Sequence, residues 1–322
     1  MKKFKTKIFF WASDTSFFSG EGILANQFLK QLKKKYIVKQ LNGLSFKKKT
    51  LFHKYIEPFY GIAKLWIKFL QGNRVSYINY LPMWNSLIYL ILPPNTILGP
   101  ITGGSINNKL SISFNSIIRS YIFPFLYLLT ELIILFRFQK ILFSTNLLED
   151  KVFKIILKRS LFNYVYTLFN FNKITNKKKQ IIVYYKKHYT KSYKILKNSL
   201  FLKFLHNNNF KVIVIGDYYH NKYFTNKGFV TRKKVNLLLK QSLFSIGTTE
   251  NYYSIFSIDS INNQTKIIYE NINKNKLQIF KQMFVSISDL KNKTQIKKKD
   301  FINDYKKVKK LKSKFNIFFQ NL

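Results

Sequence analysis

The chain has 322 residues, with 56 Lys and Arg against 13 Asp and Glu, which gives a formal net charge of +43. It is 47% hydrophobic and 18% aromatic, so it holds enough apolar side chains for a core and is not a disordered polycation. The absence of Cys excludes disulfides, zinc sites built on thiolates and a Cys nucleophile. A chain of this length is expected to form two domains.

The basic excess favours anionic partners such as phosphorylated substrates and acidic lipid head groups. Part of the excess has a simpler explanation, because the abundant residues Lys, Asn, Ile, Phe and Tyr all have A/T-rich codons. Nucleic acid is not expected as a partner, since the chain has no Arg-rich arm, zinc finger or aromatic ribonucleoprotein motif. No two Asp are separated by a single residue, so a compact carboxylate pair for a divalent ion is missing. We therefore predict neither a metal nor a cofactor.

Strands and helices are predicted to alternate along the first half of the chain. Residues 7–13 are β-prone and too short for the apolar part of a signal peptide, so they are predicted as a strand. A glycine loop at 19–22, a helix with apolar residues at a helical spacing, and a strand at 36–41 complete a βαβ unit. The further predictions are helix 52–70, strand 75–80, helix 84–92, strand 96–98, helix 120–136, strand 140–146, helix 147–158 and strand 164–170.

Residues 120–136 form an apolar segment of 17 residues that contains Pro124 and Glu131. A membrane-spanning helix needs about 20 apolar residues, and Glu131 would add a cost inside the bilayer. A core or interfacial helix is the expected assignment. With the basic surface, this predicts a cytoplasmic protein attached peripherally to the anionic inner face of a membrane.

A polar, Lys-rich segment at 171–180 predicts a boundary between domains 1–172 and 173–322. Alternation resumes after it, with strands predicted at 181–188, 210–217, 243–249 and 265–271, and helices at 193–208, 232–242, 252–263 and 298–322. Such alternation is typical of parallel sheets covered by helices on both faces. The sequence therefore predicts an α/β protein with two lobes and a cleft at the carboxyl ends of the strands.

Two glycine-rich loops follow predicted strands in the first half. The loop Ser19-Gly20-Glu21-Gly22 enters a helix, so its backbone N–H groups could approach a phosphate or an acceptor. The simpler interpretation is a helix start with Ser19 as N-cap. The second loop, GPITGG, ends in Gly103 and Gly104, and a plain turn is its alternative.

In the second half, KKHYTK places Lys186, Lys187 and Lys191 after the end of a strand, where ammonium groups would stabilise a departing diphosphate. A solvated basic turn is the alternative. Further on, Glu250 lies at a strand-to-helix junction, and Asp259 follows nine positions later in a place suited to a ribose diol. The alternative is that Glu250 only caps the helix and Asp259 is an exposed polar residue, with the adjacent tyrosines in the core.

These four motifs, in this order, resemble the retaining GT-B glycosyltransferases of the group 1, family 4-like type, which use nucleotide sugars to build bacterial surface polysaccharides, lipopolysaccharide and glycolipids. The resemblance covers almost the whole chain, and the segment ENYYS is its most specific part. It implies a GT-B architecture with two Rossmann-like domains whose parallel sheets face each other across a cleft. It also implies metal-independent transfer, with retention, of a hexose-type residue from a nucleotide diphosphate sugar to a lipid-linked or growing glycan acceptor.

Site residues carry over from the resemblance by position. The implied catalytic residues are Glu250, Lys191 and Lys186; the implied donor-binding residues are Lys187, Gly216, Asn251, Tyr252, Tyr253, Ser254 and Asp259; and the implied acceptor-side residues are Gly20, Glu21, Gly22, Gly103 and Gly104. The two acids are nine positions apart where the family has eight. A catalytically inactive GT-B scaffold of a polysaccharide assembly complex therefore stays open as an alternative, beside a basic nucleic-acid-binding protein.

Overall fold

A computed structural model describes residues 6–17, 19–41, 51–78, 81–102, 121–172, 176–248, 251–270, 272, 277–290 and 298–322, without the side chains of 51–55, 188–192 and 298–300. The chain divides into two compact units. Unit 1 comprises Met1–Tyr164 and Ser313–Leu322, and unit 2 comprises Val165–Lys312. The first change of unit therefore lies eight residues before the predicted boundary, and the last ten residues return to unit 1.

The described residues of unit 1 form eight short strands and the helices α1 to α4, with one further helical turn, α5. The strands are β1 Lys7–Trp11, β2 Ile37–Gln40, β3 Arg74–Tyr77, β4 Leu81–Pro82, β5 Ile97–Leu98, β6 Ile101–Thr102, β7 Ile141–Leu142 and β8 Ser160–Leu161. The helices are α1 Gly20–Lys35, α2 Leu51–Leu70, α3 Ser86–Ile91, α4 Phe123–Arg137 and α5 Lys154–Leu157. All strand pairs are parallel, in the order β2-β1-β3-β5, with separate pairs β4-β6 and β7-β8.

The centre of unit 1 is built on β1. Trp11 at its end is fully buried and contacts the equally buried Tyr77 of β3, with the ring centroids 5.3 Å apart and the ring planes tilted by 31°. Helix α2 approaches so closely at Gly61 that a Cβ there would lie 2.1 Å from the Trp11 ring. Only glycine admits this contact between helix and sheet, because any side chain at that position would displace the indole.

Unit 2 contains one six-stranded sheet. Its strands are β9 Lys178–Tyr185, β10 Lys211–Gly216, β11 Phe224–Asn226, β12 Ser242–Ile246, β13 Lys266–Tyr269 and β14 Phe284–Ser286. The remaining helices of the described chain are α6 Ser199–Asn207, α7 Arg232–Gln241, α8 Ile255–Asn262 and α9 Lys298–Gln320, and a 3₁₀ segment covers Lys187–Lys197. The sheet is entirely parallel, in the order β11-β10-β9-β12-β13-β14.

Successive side chains of the central strands belong to two different hydrophobic clusters. Ile181 and Val183 belong to one hydrophobic cluster of unit 2, whereas Ile182 between them belongs to a second cluster with Leu239 of α7 and Phe256 of α8. Because side chains alternate along a strand, this pattern shows that both faces of the sheet are covered. The predicted α/β class with two Rossmann-like units on parallel sheets is confirmed.

Residues 164–170 are not the predicted strand. Tyr164–Leu168 forms a 3₁₀ helix directly after Asn163, which has a φ of 63°. The four residues from Tyr164 to Thr167 are all buried. A strand with one buried face would expose every second residue. Since all four residues are buried, the alternation of such a strand is absent here, and the β-prone side chains lie on a 3₁₀ helix instead. The strands β4, β6, β8, β11 and β14 were in turn not predicted, because runs of two or three residues are too short to show an alternating pattern. Of the helix predicted at 147–158, only Lys154–Leu157 is helical.

The end of the C-terminal helix returns to unit 1 through aromatic contacts. Phe315 and Phe319 are buried, and both pack on Tyr164 at centroid distances of 5.4 and 6.1 Å. Phe319 also meets Phe28 of α1 in an edge-to-face contact at 5.0 Å. The sequence predicts a strongly basic helix at 298–322 and does not show where it packs. Its apolar side chains at this spacing provide part of the core of unit 1.

Lys177, directly before β9, is a half-buried cation at the amino edge of the unit 2 sheet. Its ammonium group donates to the carbonyl of Asn263 at 2.6 Å, the hydroxyl of Thr265 at 2.9 Å and the carbonyl of Leu239 at 3.2 Å. Two of these acceptors lie at the C-terminal ends of α7 and α8, where the helix dipole favours a cation. Burial nevertheless lowers the pKa of Lys177 to about 8.

This lowered pKa predicts a rise in stability at alkaline pH. Below pH 8 Lys177 is protonated in both folded and unfolded chains, and the folded state bears the cost of burying the charge. Between the folded value and the ordinary 10.5, only the unfolded chain binds the proton, so the free energy of unfolding rises with pH. After allowance for solvent screening we expect a rise of about 1 to 2 kcal/mol. Urea unfolding at pH 7.5 and 10 measures it. A rise of equal size in Lys177→Met would contradict the assignment.

Candidate functional site

The strand order of unit 2 defines one place on the sheet where a ligand would bind. From β9 the chain proceeds outward through β10 and β11, then returns to the other side of β9 for β12, β13 and β14. Numbered within the unit, this is the 3-2-1-4-5-6 order of dinucleotide-binding folds. In such sheets the crevice lies at the carboxyl ends of the two strands from which the chain departs in opposite directions. Here these strands are β9 and β12.

Lys186 and Lys187 directly follow the carboxyl end of β9. The Lys186 ammonium lies 5.2 Å from the centroid of the Tyr184 ring. Lys187 is exposed, and its backbone N–H donates to the Asp217 carboxylate at 2.7 Å. Lys191 belongs by its backbone to the 3₁₀ segment that follows, and its side chain lies outside the described ones. The structure thus places the two described lysines at the predicted edge of the sheet.

Gly216 ends β10 next to these lysines. Its φ is +95°, and a Cβ would lie 2.4 Å from the carbonyl oxygen of Tyr185, so this position requires glycine. The Gly216 N–H donates to Gly228 at 2.9 Å, and the following Asp217 N–H donates to Tyr185 at 3.0 Å. The turn holds the ends of β9 and β10 together and positions the backbone that follows β9.

The segment after β12 leads to the N-terminus of α8. Ser254 is its N-cap, and the Ser254 hydroxyl accepts from the Ser257 N–H at 3.2 Å. Asn251 accepts from the backbone N–H of Tyr253 at 2.9 Å, which turns the chain into the helix. Glu250, the predicted catalytic acid, lies outside the described residues. Its assignment stays a prediction, and so does the donor contact of the backbone from Asn251 to Ser254.

Both tyrosines of this segment are engaged in packing. The hydroxyl of Tyr253 donates to the carbonyl of Ile279 at 2.8 Å and accepts from the backbone N–H groups of Gln278 and Ile279, each at 2.9 Å. Burial raises the pKa of Tyr253 to about 12. Tyr252 meets the ring of Tyr269 at 5.1 Å. The alternative in which these side chains belong to the core agrees with these contacts.

Asp259 lies inside α8 and is only 3% exposed. Both of its carboxylate oxygens accept from Arg232 at the start of α7, at 2.8 and 2.6 Å. Burial raises the pKa of Asp259, and the two bonds from Arg232 oppose this shift. The interpretation of Asp259 as an exposed polar residue is therefore wrong. The prediction that it binds a ribose is untested, although the carboxylate already has a bidentate partner.

In unit 1 a pocket lies at the carboxyl ends of several strands. Its lining residues are Asp14, Glu21, Leu24, Ala25, Ile78, Pro100 and Thr102. Asp14 comes shortly after β1, and its carboxylate accepts from the Ser16 N–H at 2.6 Å and from the Ser19 hydroxyl. Sequence reasoning did not select Asp14. The sequence signal that could have indicated Asp14 is an acid shortly after the first strand, at the edge where parallel sheets bind ligands.

The glycine loop contributes to this pocket through Glu21, in the first turn of α1. Gly20 begins the helix, and the Ser19 hydroxyl accepts from the Gly22 N–H at 2.8 Å. The interpretation of Ser19 as an N-cap is thus confirmed. Gly22 is required by packing, because a Cβ there would lie 2.2 Å from the carbonyl oxygen of Ser16. Gly103 and Gly104 lie outside the described residues.

Among the residues that the structure describes, no three His, Cys, Asp or Glu side chains come together in a way that could hold a metal ion. No helix in the same part of the chain is both long and apolar enough to cross a bilayer.

Neither the family models nor the curated proteins contain a match to the sequence. Similar folds occur among solved structures. A mutant of T4 phage BGT in complex with UDP-glucose is 13% identical, with 98% of each chain covered and a TM-score of 0.48. UDP-GlcNAc 2-epimerase from Methanocaldococcus jannaschii is 10% identical, with 94% of this chain and 92% of that chain covered and a TM-score of 0.42. The E. coli heptosyltransferase WaaC with ADP-2-deoxy-2-fluoro heptose is 9% identical, with 81% and 87% covered and a TM-score of 0.30. At such values the similarity is one of general fold, and the fold class is established by the strand order of this chain.

Proposed function

We propose that the chain is a glycosyltransferase that moves a sugar from a nucleotide diphosphate sugar to a lipid-linked or growing glycan acceptor. One observation carries the proposal: the nucleotide-binding strand order of unit 2 has a basic pair and a helix N-terminus at the carboxyl ends of β9 and β12. A diphosphate bound there would meet Lys186 and Lys187 and the backbone that leads into α8. The resemblance of the sequence motifs to GT-B glycosyltransferases supports the same assignment.

In the proposed reaction the oxygen of an acceptor hydroxyl forms a bond to the anomeric carbon of the donor, and its proton passes to an oxygen of the departing diphosphate. The bond from that carbon to the diphosphate breaks, and the nucleoside diphosphate leaves with the electron pair. Lysine ammonium groups stabilise the negative charge that develops on the leaving group. Glu250 and the backbone from Asn251 to Ser254 are assigned to the sugar and phosphates. Retention of configuration and independence of metal belong to the proposal.

The acceptor is assigned to unit 1, where the pocket beside Asp14 and Glu21 lies at the carboxyl edge of the strands. Attachment to an anionic membrane surface is also part of the proposal, because the chain has a net charge of +43 and α4 exposes several apolar side chains. Flotation with anionic vesicles at moderate salt tests this part. Protein that remains at the bottom of the gradient would refute it.

The donor is tested by thermal unfolding of the full chain with uridine, guanosine, adenosine and cytidine diphosphates and their sugars. A ligand present at roughly 100 times its Kd stabilises the native state by about 2.7 kcal/mol, a shift of several degrees in Tm. We expect one nucleotide class to produce this shift and Glu250→Ala to reduce it. An unchanged Tm with every ligand would refute donor binding. A shift without turnover would indicate the inactive scaffold instead.

A further inference from the structure

A second cavity in unit 1, separate from the pocket beside Asp14, has a volume of about 210 Å³. Apolar side chains from three places line it: Met83 directly after β4, Tyr127 and Leu128 on α4, and Leu148 and Val152 in the loop after β7. An apolar cavity of about 150 Å³ in another protein is known to bind benzene. This cavity therefore has room for a hydrocarbon segment somewhat larger than benzene.

Glu131 and Lys151 provide the charged part of the cavity wall. Glu131 of α4 lines the cavity and is only 5% exposed. One of its oxygens accepts from the backbone N–H of Phe153 at 3.2 Å. Burial raises the pKa of Glu131, since a carboxylate in apolar surroundings is costly without polar partners. A hydroxyl group of a ligand, donating to this carboxyl, would supply such a partner.

The cavity continues into an exposed apolar surface of α4. Leu128 lines the cavity and is also 45% exposed, so it lies at the rim. Its neighbours Phe125, Leu129 and Leu132 are 65%, 39% and 41% exposed. Residues three and four positions apart are adjacent on a helix, so these side chains form a continuous apolar strip that begins at the rim. A hydrocarbon chain could leave the cavity along this strip with one of its sides against apolar side chains.

We infer that this cavity binds the aliphatic part of an amphipathic alcohol. The segment next to the polar head fills the cavity, a head hydroxyl donates to Glu131, and the remaining chain lies along the strip on α4. The identification of this alcohol as the lipid-linked acceptor rests on the proposed function. The binding of its hydrocarbon part to the cavity does not rest on it.

The probe is n-octyl β-D-glucoside, titrated below its micelle concentration into the full chain in a calorimeter. We expect saturable binding at one site. Val152→Phe fills the cavity and Leu128→Asn changes its rim, and each is expected to weaken binding about tenfold. Leu237→Asn is the matched control, because it removes a similarly exposed leucine of α7 that belongs neither to the cavity nor to the strip on α4. It should change the Kd less than about twofold.

Equal losses in Leu128→Asn and Leu237→Asn would show non-specific adsorption to exposed leucines and overturn the inference. A wild-type chain with no saturable binding would overturn it as well. Thermal unfolding of each variant confirms that it is folded. The role of Glu131 has its own readout: 1-octanol should bind about fivefold more tightly than octyl methyl ether, which lacks the donor hydroxyl. Glu131→Gln should reduce this preference, since a neutral amide is a weaker acceptor than a carboxylate.

Nucleotide binding is measured in the same samples, so the two proposals fail separately. Loss of octyl glucoside binding with an intact nucleotide shift would overturn the aliphatic site alone. The opposite result is a protein that binds no nucleotide but whose variants change octyl glucoside binding as expected. It would support the aliphatic site and refute its role as an acceptor site.

Discussion

Replacing Arg232 by Met is expected to lower the free energy of unfolding by about 3 kcal/mol, because it leaves the buried Asp259 carboxylate without its bidentate partner. Asp259 is 3% exposed, and the two bonds from Arg232 measure 2.8 and 2.6 Å. Breaking a buried pair from one side costs about 3 to 5 kcal/mol, and the lower end applies since the Arg232 side chain is 28% exposed. Urea denaturation of the two proteins measures the difference.

A double variant distinguishes two contributions to the free energy of unfolding: that of the ion pair as a whole, and the cost of leaving one buried charge without its partner. Arg232→Met combined with Asp259→Leu removes both charges, so most of the lost stability should return. Lys233→Met, which removes an exposed cation next to Arg232, is the control and should change stability by less than about 0.5 kcal/mol. If Arg232→Met were as stable as this control, the ion pair would not hold α7 and α8 together.

The expected consequence of the pair for function is indirect. Asp259 lies on α8, and the N-terminus of α8 is part of the proposed donor site. Movement of this helix would displace the backbone assigned to the phosphates. The double variant Arg232→Met, Asp259→Leu should therefore regain most of its free energy of unfolding but only part of its affinity for the donor. Thermal shifts with the identified nucleotide would detect this difference.

Lys186→Met is expected to lower kcat/KM for sugar transfer by about 100-fold, the usual effect of removing one group that stabilises developing negative charge. Lys186 directly follows β9 at the carboxyl edge of the unit 2 sheet. Its contact with the Tyr184 ring, at 5.2 Å, contributes at most about 1 kcal/mol to stability, so the variant should fold. Initial rates with the donor found by thermal unfolding measure the effect.

Lys178→Met is the matched control. It removes one cation from the same strand, but at the amino edge of the sheet, where Lys178 begins β9 and is exposed. Its kcat/KM should stay within about twofold of the wild-type value if position, and not total charge, is responsible. Similar losses in both variants would mean that the lysines act through the general positive field of the chain, and would refute the specific role of Lys186.

Much of the fold could be predicted because its elements have strong local patterns. The strand predicted at 210–217 is observed at Lys211–Gly216, and the helix predicted at 232–242 is observed at Arg232–Gln241. A continuous apolar run between turn residues and a capping Thr231 before a helical pattern are both visible in the sequence. The same reasoning failed at Tyr164–Leu168, where burial on all sides replaced the alternation that defines a strand.

The candidate site was predictable in position more than in detail. Glycine turns and lysines after strands indicated the carboxyl edge, and the structure places Gly216, Lys186 and Lys187 there. The partner of Asp259 was not predictable, because Arg232 is 27 residues away and only the packing of α7 on α8 brings the two together. Glu131 was visible only as an unfavourable acid in an apolar segment. Its cavity is formed by side chains distant in sequence.

The sequence by itself determined the α/β class, the alternation of elements and the edge of the sheets at which ligands are expected, because these follow from periodicity, turn residues and the sterics of parallel strands. Only the tertiary structure decided the strand order of unit 2, the return of Phe315 and Phe319 to unit 1, and the ion pair of Asp259. These features depend on which surfaces are buried against each other. Which surfaces are buried against each other depends on residues far apart in the chain, so no local pattern encodes this pairing.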